Sequence, residues 1–146
     1  MVERFTSKPL ELPPREHAFQ RVDLVFYGLD HSEASYEGQV FLDARGVGRG
    51  ADRSHRAYVG SFFVFAHNGC FGEAGHCDIP SERDPFDLRP PHHLEPATRI
   101  VTVTDAIERL LERDVDAARV TVVAVTEGRA SAKVLGFERV RLLTYA

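Results

Sequence analysis

The nonapeptide RVDLVFYGL, Arg21 to Leu29, decides the fold class of this chain. Its candidate core residues Val22, Leu24 and Phe26 alternate with Asp23, Val25 and Tyr27. An alternation with a period of two is typical of a β-strand that has one buried face, whereas a helix would repeat every three to four residues. We therefore predict a strand at this position.

Further strands are predicted on the C-terminal side of this segment. The candidates are YEGQVFLD (36–43), YVGSFFVFA (58–66), RIVTVT (99–104), ARVTVVAV (118–125) and AKVLGFERVRLLTY (132–145). The run YVGSFFVFA has an apolar, aromatic composition that indicates a strand buried on both sides. Only DAIERLLERD, residues 105–114, has helical spacing, and Thr104 is its expected N-cap. Since the strands follow one another in sequence, the prediction is a mainly β fold: an antiparallel β-sandwich or jelly roll with one short helix.

The first twenty residues differ in composition from the rest. They contain Pro9, Pro13 and Pro14 among many charged residues, which predicts an extended arm that is flexible or lies on a neighbouring subunit. Residues 21–146 are then expected to form a single β-sandwich domain, because 146 residues suit one core.

Charge and hydropathy exclude two classes of partner at this stage. The formal net charge is −4 and the 18 basic residues are scattered, so no basic stripe indicates a nucleic acid. No run of 18 apolar residues predicts a membrane span, and the N-terminal residues lack the apolar stretch of a secretory signal. We expect a cytoplasmic protein, unless a partner carries it out of the cell. In that compartment thiols and metal ligands are more common than permanent disulfides.

The stretch HNGCFGEAGHC, residues 67–77, gathers the potential ligands His67, Cys70, His76 and Cys77. Imidazole and thiolate together suit copper or zinc, and the glycines would let a short loop fold back around an ion. A Cys70–Cys77 disulfide is the competing interpretation; it would stabilise the loop by about 2–3 kcal/mol if its geometry is favourable. Two free thiols are the third.

A long proline-rich loop continues from this stretch to Pro96. About thirty residues without regular structure are more than a compact domain normally tolerates unless they bind something. Phe86 and Leu88 lie between charges and are candidates for anchoring a partner. His92 and His93 are adjacent, so we expect their side chains to point to opposite sides of an extended segment and not to share one metal ion. We include both histidines in the candidate partner contact.

Several segments resemble the C-terminal β-domain of tyrosinases and plant polyphenol oxidases. Residues 59–62, VGSF, with His67 behind them, are similar to the family's A-G-S-F strand and its following histidine. VTDAIERL (103–110) resembles the strand and helix of the type I-T-D-L-L-E-D-L. VTVVA (120–124) and the closing strand at 140–143 also resemble family segments. The family's K-F-D-V signature would fall at residues 37–40, where only the valine agrees.

The resemblance implies a noncatalytic domain. In that family the chemistry belongs to a separate helical bundle that binds two copper ions, and the β-domain packs over its entrance. We therefore predict an accessory domain, without enzymatic activity of its own, that binds and shields a protein partner such as a tyrosinase-like copper enzyme. The alternatives are a structural subunit of a homo-oligomer and a small copper- or zinc-binding protein that uses the loop 67–77.

Overall fold

The computed structural model describes residues 3–31, 33–44, 47, 51–65, 85–86, 96–126 and 133–146. The elements in chain order are β1 (Glu3–Thr6), β2 (Leu10–Glu11), β3 (Arg21–Leu29), β4 (Tyr36–Leu42), β5 (Tyr58–Val64), β6 (Ala97–Thr102), α1 (Thr104–Glu112), β7 (Ala117–Ala118), β8 (Val120–Val125) and β9 (Arg139–Tyr145). This confirms the prediction of a mainly β, sandwich-like fold with one short helix. Within the described ranges no helix has the length and apolar character needed to cross a membrane.

The strands form three antiparallel sheets. A four-stranded sheet has the order β1-β8-β4-β5 and a three-stranded sheet has the order β6-β3-β9, while β2 and β7 form a short ladder. The segment Arg21–Leu29 becomes the central strand of the three-stranded sheet, where it pairs with β6 on one side and β9 on the other. Its even-numbered side chains Val22, Leu24 and Phe26 are fully buried in the main core.

A row of aromatic rings connects the two larger sheets through this core. Phe26 of β3 lies 4.8 Å from Phe62 of β5 and 5.5 Å from Phe137, measured between ring centroids. Phe137 is in edge contact with Phe5 of β1 at 4.6 Å, and Phe62 is in edge contact with Tyr36 of β4 at 6.2 Å. Edge-on and tilted pairs at these separations are favourable beyond the area that they bury. The two sheets are therefore joined by direct ring contacts as well as by aliphatic packing.

The N-terminal residues include the strands β1 and β2, which pair with strands of the same chain. β1 is hydrogen-bonded to β8 and β2 to β7, so these residues lie within the sandwich. The structural reason is that Phe5 faces the core from β1, whereas Pro9, Pro13 and Pro14 fall outside both strands, where their missing N–H groups cost no ladder bond. The division of the chain at residue 20 stays a prediction.

The aromatic run was expected to be buried on both sides, and this was wrong. Phe62 is 3% exposed, but Phe63 is 49% and Phe65 is 81% exposed. The reason is that β5 belongs to a sandwich, in which the inner face of a strand meets the core while the outer face is directed away from it.

Two other local predictions require correction. Thr104 is the first helical residue, and the N-cap is Val103, which makes no side-chain cap hydrogen bond. The Thr104 hydroxyl instead accepts a hydrogen bond from the Val22 amide at 3.0 Å, which joins the helix start to β3. The last strand begins at Arg139 rather than 132, because the amides of Val134 and Leu135 donate to the Glu3 carboxylate, each at 2.8 Å, instead of to a strand.

Gly38 provides the space that Phe62 occupies in the core. A Cβ atom at position 38 would lie 2.3 Å from the tip of the Phe62 ring. We expect Gly38→Ala to destabilise the fold by about 1–3 kcal/mol, since added volume in a packed core forces strain on its neighbours. Phe62→Leu should recover part of this loss in the double variant. The measurement is a double-mutant cycle of urea unfolding, and additive free energies would contradict the proposed contact.

Candidate functional site

Most of the candidate residues from the sequence lie outside the described part of the chain. These are His67, Cys70, His76, Cys77, Leu88, His92 and His93. The metal site, the disulfide and most of the partner contact therefore stay predictions. Phe86 is described, and 90% of its surface is exposed. Among the described residues no group of three or more His, Cys, Asp and Glu side chains is arranged to hold a metal ion.

The outer face of the three-stranded sheet combines arginine, tyrosine and exposed aliphatic side chains on neighbouring strands. The strand register places its side chains in rows, which we call the arginine–tyrosine face: Tyr145 and Arg21; Leu143, Asp23 and Thr102; Arg141, Val25 and Ile100; Arg139 and Tyr27. Ile100 is 52% and Tyr145 is 44% exposed, while Val25 is buried between its neighbours. The face thus has an apolar middle and arginines along β9.

Two arginines on this face are stacked on tyrosine rings across the strand pair. The Arg139 guanidinium carbon lies 4.9 Å from the centre of the Tyr27 ring, and that of Arg21 lies 5.5 Å from the Tyr145 ring. Cation–π contacts of this kind restrict the guanidinium and favour its orientation over the ring. Arg141 is exposed and makes no ion pair, hydrogen bond or ring contact with the described residues.

Arg21 also neutralises a carboxylate that is buried beneath the face. Its Nε donates to Asp23 Oδ1 at 2.9 Å and its Nη2 lies 2.7 Å from Oδ2, while the Thr102 hydroxyl donates to Oδ1 at 2.9 Å. The hydrogen bond from Arg21 lowers the pKa of Asp23; burial opposes this and Thr102 supports it. Because the Asp23 side chain has no exposed surface, its charge is tolerated only with these partners.

A second polar group lies on the outer face of the four-stranded sheet. We call it the Glu37 cluster, and its members are Glu37, Gln39, Arg53, Tyr58 and Ser61. Arg53 donates to Glu37 Oε1 at 2.9 Å, Ser61 donates to the same oxygen, and the Tyr58 and Ser61 hydroxyls are 2.9 Å apart. Burial alone would raise the pKa of Glu37, but the hydrogen bonds from Arg53, Ser61 and Gln39 outweigh it and hold the pKa below its usual value.

In the Glu37 cluster, the ionised Glu37 carboxylate accepts hydrogen bonds from side chains of the same chain. Glu37 Oε2 accepts a 3.4 Å contact from Gln39 Nε2, and Gln39 Oε1 is buried without a partner among the described residues. In its row across the sheet Glu37 stands between Phe63 and Val125, which are both partly exposed. The Glu37 carboxylate therefore stays ionised near neutral pH. Through its ion pair with Arg53 it holds the segment 51–57 in place.

A cleft of about 450 Å³ lies between the N-terminal segment and the end of β9. Leu12, Pro13, Pro14, His17 and Phe19 line one side, and Leu142, Thr144 and Tyr145 line the other. Its volume is within the range of small-molecule sites, but its titratable groups, Glu11, His17 and Tyr145, show no shared hydrogen bond in the structure.

Sequence reasoning missed the arginine–tyrosine face, although a signal for it exists. In RVRLLTY the residues Arg139, Arg141, Leu143 and Tyr145 recur with a period of two, opposite the apolar Val140 and Leu142. The same alternation that predicts a strand also predicts which side chains share its outer face. What the sequence does not provide is the pairing of β9 with β3, which sets Arg139 opposite Tyr27 and Arg21 opposite Tyr145.

Comparison with known proteins gives a likeness of fold. No family model and no curated protein matches the sequence. Among solved structures, the chain is similar to latent aurone synthase, a polyphenol oxidase, in a recombinantly expressed form and in a form from the natural source. For both, the TM-score is 0.53 and the sequence identity is 14%, and the alignments cover 97% and 99% of this chain. The chain spans only 24% of the length of those chains.

The Arg21–Asp23 pair predicts a defined pH dependence of stability. Since the pKa of Asp23 is lowered by folding, its carboxylate stabilises the fold above the unfolded value, near pH 4, and this contribution is lost as the pH falls through the lower folded value. Arg21→Ala removes the main cause of the shift. We expect this variant to unfold at a lower temperature at pH 7, and the difference from the parent chain to shrink below pH 4.

Thermal unfolding followed by circular dichroism between pH 3 and pH 7 measures this effect. Arg56→Ala is a suitable control, because Arg56 is exposed and lies in the segment over the other sheet. A destabilisation by Arg21→Ala that is equally large at both ends of the pH range would contradict the role of the ion pair.

Proposed function

We propose that this chain is a noncatalytic accessory domain that binds a protein partner and covers part of the partner's surface. The observation that carries the proposal is the arginine–tyrosine face. It combines Tyr27, Tyr145 and the arginines with the exposed Ile100, and tyrosine and arginine are the residues most enriched among energetically important contacts in protein interfaces. A flat sheet face with this composition suits another protein surface better than a small ligand.

The extent of the structural likeness supports the same proposal. This chain corresponds in fold to about a quarter of two larger polyphenol oxidase chains, and both are described as latent. A domain of this size that recurs beside a larger oxidase is suited to cover that oxidase. We therefore propose a tyrosinase-type copper oxidase as the partner class, in agreement with the resemblance of the sequence.

Phe86 supplies a second candidate contact. Its ring is 90% exposed, and it belongs to the long segment between β5 and β6. An aromatic ring with this exposure gains up to several kcal/mol when a partner's pocket buries it. We propose that Phe86 inserts into the partner, with Leu88, His92 and His93 as further contacts from the same segment.

The test uses a tyrosinase-type copper oxidase from which its own β-domain has been removed by proteolysis. We expect the added chain to bind it in calorimetry and to slow its oxidation of a diphenol, because the chain covers the entrance to the copper site. Ile100→Asp and Phe86→Ala should each weaken binding about tenfold or more, since both remove a central apolar contact.

Val125→Asp is the matched control, since Val125 is also partly exposed but lies on the four-stranded sheet. It should leave the affinity unchanged. An unaltered oxidation rate without a heat of binding would contradict the proposal, and so would diphenol oxidation by the copper-loaded chain alone. Light scattering of the chain alone separates binding to a partner from self-association.

A further inference from the structure

The charges on the arginine–tyrosine face differ in sign from those of the chain as a whole. The face contains three arginines, Arg21, Arg139 and Arg141, against one acidic residue, Asp23. The whole chain has 22 acidic and 18 basic residues and a formal net charge of −4. The face thus has more positive than negative side chains in a chain whose net charge is negative, and this local excess favours the approach of an oppositely charged surface.

The three arginines are not equally available to a partner. Arg21 makes two contacts with Asp23, so its charge is already neutralised within the sheet. Arg139 is stacked on Tyr27, but a stacked guanidinium keeps the N–H donors at its edges free for a carboxylate. Arg141 makes no polar contact with the described residues. The guanidinium groups of Arg139 and Arg141 on β9 are therefore available to bind a ligand.

The spacing of Arg139 and Arg141 along β9 indicates what kind of ligand suits them. Arg139 and Arg141 are two residues apart on one strand and face the same side, so their Cα atoms are separated by about 7 Å. An extended segment of a partner that carries acidic residues at alternate positions has the same spacing. The planar guanidinium binds a carboxylate through two parallel hydrogen bonds, which favours carboxylates in this geometry.

The apolar part of the face agrees with a protein segment and not with a nucleic acid. The exposed Ile100 and the half-buried Leu143 provide aliphatic surface beside the arginines. Tyr27 and Tyr145 each have a guanidinium over the ring, which leaves less ring surface for stacking with a base. We propose that Arg139 and Arg141 bind an extended, carboxylate-rich segment of the partner protein, with Ile100 in contact with its apolar residues. This inference rests on the proposed function, because it specifies the surface through which the accessory domain docks.

The probe for this site is a fluorescent peptide of alternating Glu and Ser residues, with a Gln-Ser peptide of the same length as its neutral counterpart. We expect fluorescence anisotropy to show binding of the Glu-Ser peptide only. Arg141→Glu and Arg139→Glu should each weaken it about tenfold or more, and Arg141→Lys should weaken it less, because lysine keeps the charge but not the paired hydrogen bonds. Raising the salt concentration from 50 to 500 mM should also weaken binding.

Arg56→Glu is the matched control, since it makes the same charge change at an exposed site over the other sheet. Thermal unfolding of each variant verifies that it is folded. Equal binding of the Gln-Ser peptide, or equal effects of Arg56→Glu and Arg141→Glu, would overturn the inference. Tighter binding of a single-stranded RNA than of the Glu-Ser peptide would also overturn it, because it would assign the face to a nucleic acid.

The oxidase assay distinguishes this inference from the proposed function. If the chain binds the trimmed oxidase and the double variant Arg139→Glu, Arg141→Glu binds it equally well, the accessory role stands and the acidic docking site is wrong. If the Glu-Ser peptide binds as expected but the oxidase does not, the docking site stands and the copper oxidase is the wrong partner.

Discussion

The contact of Phe26 with Phe62 is the interaction on which the rest of this structure depends. It joins the central strand of one sheet to an edge strand of the other, at a separation of 4.8 Å between ring centroids. Phe26 is fully buried, and Gly38 leaves the space that the Phe62 ring requires. Since Phe137 contacts Phe26 from the other side, the segment before β9 is positioned by the same ring. The place of β9 beside β3, and with it the arginine–tyrosine face, follows from this packing.

A strand that buries one face in the core directs its other face outward. The outer faces of the two sheets differ in how far other parts of the chain cover them. On the four-stranded sheet, Phe41, Val47 and Val123 form a small second core beneath the Ala51–Ala57 segment. The ion pair between Arg53 and Glu37 holds that segment against the sheet, so part of this outer face is covered by the chain itself. On the three-stranded sheet, Ile100 and Tyr145 remain exposed. Phe63 and Val125 on the four-stranded sheet are exposed as well, so what distinguishes the three-stranded sheet is the pair Arg139 and Arg141 beside Ile100.

The sequence predicted the strands well because alternation is a local property. The segment at Arg21–Leu29 was predicted to its last residue, and in β4 the same alternation separates the core side chains Tyr36, Val40 and Leu42 from the outer side chains Glu37, Gln39 and Phe41. The predictions failed where long-range pairing decides the outcome. Phe63 and Phe65 are exposed because nothing among the described residues covers that side of β5, and a continuous apolar run does not show whether its second face will be covered.

The candidate site was harder to predict for the same reason. Residues of metal-ligand type, such as His67 and Cys70, are readily recognised in a sequence. Arginines at alternate positions of a strand, in contrast, have the same pattern as an ordinary solvent-exposed face. Only the register of β3 with β9 shows that Arg139 lies opposite Tyr27 and that Arg21 lies opposite Tyr145. A binding surface on a sheet is composed of residues distant in sequence, so it becomes visible only once the strand order is known.

The alternation in β9 also separates stability from binding within one strand. Val140 and Leu142 pack against the main core, while Arg139 and Arg141 point to the opposite side and are exposed. Substitution of an inward residue removes core contacts, and substitution of these arginines leaves the core intact. Arg21 does not follow this division, because it lies on the outer face and yet neutralises the buried Asp23. A change at Arg21 therefore alters stability and surface charge together, so Arg139 and Arg141 are the positions at which a loss of binding reports on the interface alone.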